Sequence, residues 1–294
     1  AVDYFLGDMT YNDITDNHSD LGINDEVADK LGIGHIKNIA MFGIDSRNPK
    51  STKGRSDTII ILSVNTKNNS IKMTSILRDS YVAIDGHGKE KITHAYAYGG
   101  PVLAIKTINQ NFHLNIKDYV SVNFAQLSAV LDVMDGIDLE ITEAERRELN
   151  RIMESENFTS TPVAKSGMVH LNGIQAMHFA RIRKIDGDDA RAERQGKVLN
   201  CLFEKVKTMS ASKYPALLKT IMPNVETSLS YSDIIGYAPM MAKGDLKLER
   251  SLVPDTKLDK PIGGNYDGAW VWRYDLNAAS NRMHEWIYGD EIEK

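Results

Sequence analysis

Three short runs constrain this chain more than anything else in it: "NIAMFGI" (38–44), "TIIILSV" (58–64) and "IKMTSIL" (71–77). They are apolar, rich in β-branched residues and of strand length. The first two are almost unbroken in apolar residues, as expected for strands covered on both faces. "NTKNNS" (65–70) joins the second run to the third and reads as a hairpin turn. A covered sheet that contains a hairpin is mixed rather than purely parallel.

Helical periodicity follows. It is seen in "PVLAIKTINQNF" (101–112), with Pro at a first-turn position, and in "NFAQLSAVLDVM" (123–134). "TEAERRELNRIM" (142–153) opens with Thr142 and has Glu145 three residues on, a capping box. "IDLEI" (137–141) is a strand between helices. Helices are also predicted over 172–182, 188–209, 213–222, 231–242 and from about 276, with strands near 247–253 and 269–274. The alternation gives an α/β layered fold, a mixed central β-sheet flanked by helices. Residues 1–36 are polar and weakly periodic, and read as a linker or N-terminal appendage. No second boundary follows, so 37–294 reads as one domain.

With 294 residues, 42% of them hydrophobic, the chain can bury a sizeable core. Its net charge of −5 excludes broad electrostatic binding to nucleic acid. Cys201 is the single cysteine, so no disulfide forms within the chain. No apolar run reaches membrane-spanning length. The chain begins Ala-Val-Asp, and any membrane anchor is expected upstream of it.

Against that acidic balance, "ARIRKIDGDDARAERQ" (180–195) gathers Arg181, Arg183, Arg191 and Arg194. On a helix over 188–209, Val198, Leu199, Leu202, Phe203 and Val206 span about 140° of one face, and Arg191 and Gln195 fall within it. Burying guanidinium needs an anion. One such arginine is explained by an internal carboxylate; four close together point to phosphate oxygens, which the planar fork of arginine binds bidentately. "DGD" (186–188) alone is also a short metal motif of nucleotide-sugar transferases, but no nucleotide-binding glycine loop accompanies it. Asp188 and Asp189 suit helix capping.

A second constellation lies at strand ends. Asp45 closes the first run, Arg55 and Asp57 open the second, and Arg78 and Asp79 end the third. Antiparallel pairing would bring Asp45 and Asp57 to one edge. Mg²⁺ takes one or two carboxylates plus phosphate oxygens. "KITHAYAYGG" (91–100) adds Lys91.

In this order, "GIDSR…GRSDTIIILSVN…IKMTSILRDSYV…KITHAYAYGGP…LNGIQAMHFARIRK…DGDDARAERQ" resembles the LytR-CpsA-Psr family across about residues 38–207. The resemblance implies a three-layer α/β/α sandwich with a pocket for a polyprenyl tail. It implies a membrane-anchored enzyme on the extracytoplasmic face of the Gram-positive envelope. Such enzymes move a glycopolymer (wall teichoic acid, capsular polysaccharide or similar) from an undecaprenyl-pyrophosphate carrier to a peptidoglycan acceptor, leaving a phosphodiester. By the same resemblance Asp45 and Asp57 hold Mg²⁺, with Mn²⁺ as its substitute. Arg55, Arg78, Arg181, Arg183 and Lys91 bind pyrophosphate, Arg191 is catalytic, and Gln195 completes the R-x-x-R-Q element. The sequence departs from the family at Thr93, where Asn is common, and at Ala190, where Gly is common.

Asp79, Asp186, Asp188 and Asp189 are the candidates for general base. A polyprenyl-pyrophosphate hydrolase and a non-catalytic lipid-phosphate-binding regulator of wall synthesis are the competing readings of the same residues.

Overall fold

The hairpin signalled by residues 65–70 joins two neighbouring strands of the main sheet in a computed structural model, which describes residues 10–46, 53–156 and 161–291. Strands β2 (Ile36–Asp45), β3 (Arg55–Asn65) and β4 (Ser70–Ile76) run antiparallel in sequence order. β4 then pairs in parallel with β11 (Lys247–Val253), which makes the sheet mixed. With β7 (Asp118–Asn123) and the short β1 (Thr10–Tyr11) and β10 (Glu226–Thr227), the order is β1-β10-β7-β2-β3-β4-β11. Ile59, Ile60, Ile61, Leu62 and Val64 are all buried, so β3 is covered on both faces as its unbroken apolar run requires.

The chain divides into two compact units. The larger takes residues 11–121, 227–230 and 245–294. It holds most of the sheet, α1 (Asp25–Leu31), α2 (Thr93–Phe112) and α10 (Leu276–Tyr288), plus the hairpins β5–β6 (Tyr81–Ile84, Gly88–Lys91) and β12–β13 (Ile262–Tyr266, Ala269–Arg273). Its core joins Phe42, Ile61, Ile105, Ile108, Phe112, Met283 and Ile287. Leu21, Ile23 and Leu31 belong to the same cluster. The expectation of a linker over 1–36 is therefore corrected from residue 21 onward; residues 1–9 lie outside the described ones. The polar surface of this segment hid four anchors, Leu21, Ile23, Leu31 and Ile36, that follow no single period.

α2 begins at Thr93, earlier than periodicity predicted. Gly100 has φ +63°, which only glycine adopts freely, and breaks the helix ahead of Pro101.

The other unit takes residues 122–226 and 231–244, with residues 1–10. It holds α3 (Phe124–Val133), β8 (Ile137–Ile141), α4 (Glu143–Ser155), β9 (Gly167–Leu171), α5 (Gly173–Arg181), α6 (Asp188–Lys207), α7 (Tyr214–Ile221), α8 (Tyr231–Gly236) and α9 (Ala238–Ala242). Its core is built on Leu139, Leu149, Leu171, Phe179 and Val198. Capping boxes start α3, α4 and α5: Asn123 with Gln126, Thr142 with Glu145, Asn172 with Gln175. Among the described residues no helix is long and apolar enough to cross a membrane.

Candidate functional site

Charged residues gather at the strand ends of the larger unit. Asp45 lies opposite Arg55 in the β2–β3 ladder, and Asp57 follows two residues along. The two carboxylates therefore share one edge, as antiparallel pairing predicted. Gly54 makes this end possible. Its φ is +155°, and a Cβ there would meet the Asp45 carbonyl oxygen at 2.6 Å. Arg55 Nη2 stands 3.9 Å from Asp45 Oδ2, and both side chains are substantially exposed. Deeper in, Arg78 Nη1 donates to Asp57 Oδ2 at 2.7 Å. Lys91 Nζ is 3.0 Å from Asp79 Oδ1, and Arg78 Nε is 3.7 Å from Asp79 Oδ2.

Asp79 is 3% exposed and has a cation at each oxygen. The carboxylate organises Arg78 and Lys91. Thr93, at the position that departs from the family pattern, uses its hydroxyl to donate to the Ser56 carbonyl at 2.9 Å, and its amide donates to the Arg78 carbonyl. It ties the start of α2 to the residues flanking Asp57.

The arginine stretch forms a separate array in the other unit. Arg181 ends α5, where Nη1 meets Glu156 Oε2 at 3.4 Å and the guanidinium lies 4.7 Å above the Phe124 ring. Arg183 Nε reaches Asp188 Oδ1 at 2.7 Å and is half exposed. Arg191, buried as its helical phase predicted, reaches the same oxygen with Nη2 at 3.3 Å. Asp188 thus anchors two arginines; the helix cap expected of Asp188 and Asp189 is instead Gly187, with φ +94° and no side-chain bond. Gln195 sits one turn beyond Arg191, half-buried.

Arg194 differs from the rest. It is 2% exposed and donates to Glu145 Oε1 at 2.9 Å, to the Ile182 carbonyl at 3.1 Å and to the Asp186 carboxylate. It locks the loop that carries Arg183 against the start of α4. Burial alone would raise the Glu145 carboxyl, but the Thr142 backbone N–H and the Arg194 guanidinium outweigh it and hold the group below its ordinary value.

Sequence reading missed Glu156 and His178 beside Arg181. His178 is fully buried, with Nδ1 3.5 Å from Arg181 Nη1 and Nε2 3.9 Å from Glu156 Oε2. Burial pushes its imidazole down to about 4, so it is neutral at pH 7. No local signal marks this pair, because Glu156 precedes His178 by 22 residues (178 − 156).

Both arrays have the donor chemistry that an anion requires. Cations are held in place by carboxylates, and several remain open to solvent. Among the described residues no three His, Cys, Asp or Glu form a ligand cluster. However, Asp57 Oδ1 is buried with no hydrogen-bond partner among the described residues. A hard cation sharing phosphate oxygens would satisfy it, so Asp57 with Asp45 fits Mg²⁺.

A mixed α/β domain with guanidinium arrays for an anion is the class this chain defines, and within it the chain belongs to the LytR_cpsA_psr family, whose model matches residues 7–285. It is 31% identical over 243 residues to the polyisoprenyl-teichoic acid–peptidoglycan teichoic acid transferase TagT of Bacillus subtilis (strain 168), which covers 81% of this chain and 71% of that protein. It is 34% identical over 211 residues to TagU of Bacillus anthracis, which bears the same transferase name, over 70% of this chain and 65% of that protein. The chain thus spans about two thirds of the length of these relatives. Among solved structures, TagT bound to LIIa-WTA superposes with a TM-score of 0.71 at 26% identity, covering 87% of this chain and 91% of that one. TagT with bound octaprenyl pyrophosphate lipid shares the fold, with a TM-score of 0.66 at 22% identity, over 95% and 96%.

Proposed function

We propose that this chain is a transferase that moves a teichoic-acid-type glycopolymer from a polyprenyl-pyrophosphate carrier to peptidoglycan. The observation that carries the proposal is the pair of carboxylate-held cation arrays in a chain of this family. One array is built on Asp57, Arg78, Asp79 and Lys91, the other on Asp188, Arg183 and Arg191. The relatives' transferase names and the lipid and glycopolymer in the TagT structures support the same substrate class.

We assign Arg55, Arg78 and Lys91 in one array, and Arg181, Arg183 and Arg191 in the other, to binding phosphate oxygens, with Gln195 as a neutral donor beside Arg191. A sugar hydroxyl of the acceptor attacks the phosphorus next to the glycopolymer. The P–O–P bond breaks, the polyprenyl phosphate leaves with the bonding electrons, and a phosphodiester forms. Catalysis of this step consists of positioning and of stabilising charge on the transferred and leaving oxygens. Fixed guanidinium groups do both without changing protonation state. Asp45 and Asp57 would hold Mg²⁺, which when bound neutralises phosphate charge. Asp79, or one of Asp186, Asp188 and Asp189, takes up the hydroxyl proton. We propose that it works on the outer face of the membrane, with capsular polysaccharide as the alternative polymer.

The test is reconstitution with a polyprenyl-pyrophosphate-linked saccharide and uncrosslinked peptidoglycan oligomers, with and without chelator, read by mass spectrometry. A saccharide–peptidoglycan phosphodiester is expected, lost in Arg191→Ala. Release of free sugar phosphate alone would make the chain a hydrolase.

A further inference from the structure

Hairpin β12–β13 has two unlike faces. Register places Ile262, Gly264 and Tyr266 with Arg273, Val271 and Ala269 on one of them. That face is turned inward at its centre. Val271 is 1% exposed, the Arg273 guanidinium stacks 4.0 Å above the Tyr266 ring, and Tyr266 packs edge-on against Tyr81.

The other face carries Gly263 opposite Trp272 and Asn265 opposite Trp270. Trp270 is 40% exposed, a large value for an indole with no structural need to face water. Its ring centroid lies 4.8 Å from that of Trp272 at 81°. A Cβ on Gly263 would come within 2.7 Å of Trp270 Cζ2 and 2.9 Å of Trp272 Cζ3. Both indoles therefore lie close over bare glycine backbone, with Trp272 edge-on to Trp270, and the exposed Trp270 ring is the shelf. Asn265 is exposed beside it. None of these four positions carries a charge.

The shelf is joined directly to the strand-end array. The Trp272 amide donates to the Asp79 carbonyl at 2.9 Å, and Ser80 bridges to Trp272. Trp270 precedes Trp272 by two residues, roughly 7 Å along the strand.

We infer that this shelf is a saccharide subsite that seats the acceptor glycan strand; the inference rests on the transferase reading proposed above. Axial C–H groups give a pyranose ring an apolar face that stacks on an indole, while its hydroxyl and N-acetyl groups need a partner that both donates and accepts. Trp270 supplies the first and the Asn265 amide the second. An anionic polymer would find no cation on this face, and a lipid chain would leave Asn265 unused. The uncharged faces of an aminosugar strand match it. Gly263, with no Cβ, leaves the room in which both indoles sit.

Two measurements test this on the whole chain. In the first, tryptophan emission of Trp286→Phe protein is titrated with soluble uncrosslinked peptidoglycan glycan fragments, and separately with anionic phospholipid vesicles. Saturable change with glycan is expected, absent in Trp270→Ala and restored in part by Trp270→Phe when binding is followed by calorimetry. In the second, transfer is assayed with donor fixed and acceptor varied. Trp270→Ala should raise the acceptor KM about tenfold, the loss of one stacked ring, and leave the donor KM where it was. Asn265→Ala should act in the same direction. Glycan binding without any transfer would sink the transferase reading and keep the subsite. Transfer with an unaltered acceptor KM in Trp270→Ala overturns the subsite. So does an emission shift with vesicles and none with glycan, which would make the hairpin a lipid contact.

Discussion

Replacing Arg194 with leucine removes a guanidinium that is 2% exposed and serves three acceptors. Asp186 is 40% exposed and regains water, so its loss is small. Glu145 cannot: it is 6% exposed, and its carboxylate keeps the Thr142 N–H of its own helix start, while the Thr142 hydroxyl accepts from the Glu145 amide. Leaving one member of a buried pair uncompensated costs about 3–5 kcal/mol. At roughly 2–4 °C per kcal/mol for a chain of this size, the melting temperature should fall by on the order of 10 °C. Circular dichroism in thermal and urea melts reads the loss. The companion variant Arg194→Leu/Glu145→Gln keeps the capping amide but removes the stranded charge, and should recover about half of it. The pH dependence gives an independent check. The Glu145 carboxyl is held below its ordinary 4.5, so its stabilising contribution is full above that value and fades as pH falls through the lowered one. The gap between wild type and Arg194→Leu should therefore narrow below pH 4.5. A single variant within about 1 kcal/mol of wild type at pH 7, or a double variant no better than the single, would refute the reasoning.

Three more outcomes are expected. Arg191→Ala should reduce transfer by about a hundredfold or more while its melt stays within about 1 kcal/mol of wild type, because Asp188 keeps Arg183; unchanged turnover in a folded variant would remove Arg191 from the site. His178 is depressed from 6.5 to about 4 by burial, so folding stability should decline as pH falls between those values, by on the order of 3 kcal/mol, and His178→Gln should flatten that slope in pH-resolved melts. Gly54→Ala should destabilise by about 1–3 kcal/mol and weaken pyrophosphate binding in calorimetry, since a Cβ there collides with the Asp45 carbonyl.

The sheet centre was legible because local pattern suffices for it. Continuous apolar runs mean two covered faces, and six polar residues between two of them mean a hairpin, which is where β3 turns into β4. The Thr142 capping box and the inward phase of Arg191 were legible for the same reason. Asn123-x-x-Gln126 and Asn172-x-x-Gln175 carried the same signal unread.

What the sequence alone determined is the inventory: mixed α/β layers, an edge that gathers Asp45, Arg55 and Asp57, and an arginine-rich segment that needs anions. What only the tertiary structure decided is the pairing. Strand β8 finds β9 about 30 residues later, and Arg194 finds Glu145 across 49 residues. Asp79 turns inward between Arg78 and Lys91, and the Trp272 amide takes up the Asp79 carbonyl from a hairpin nearly 200 residues away. Periodicity reports which side of an element is buried. The identity of a charge's partner depends on which distant segment the core brings beside it, and no local pattern carries that information.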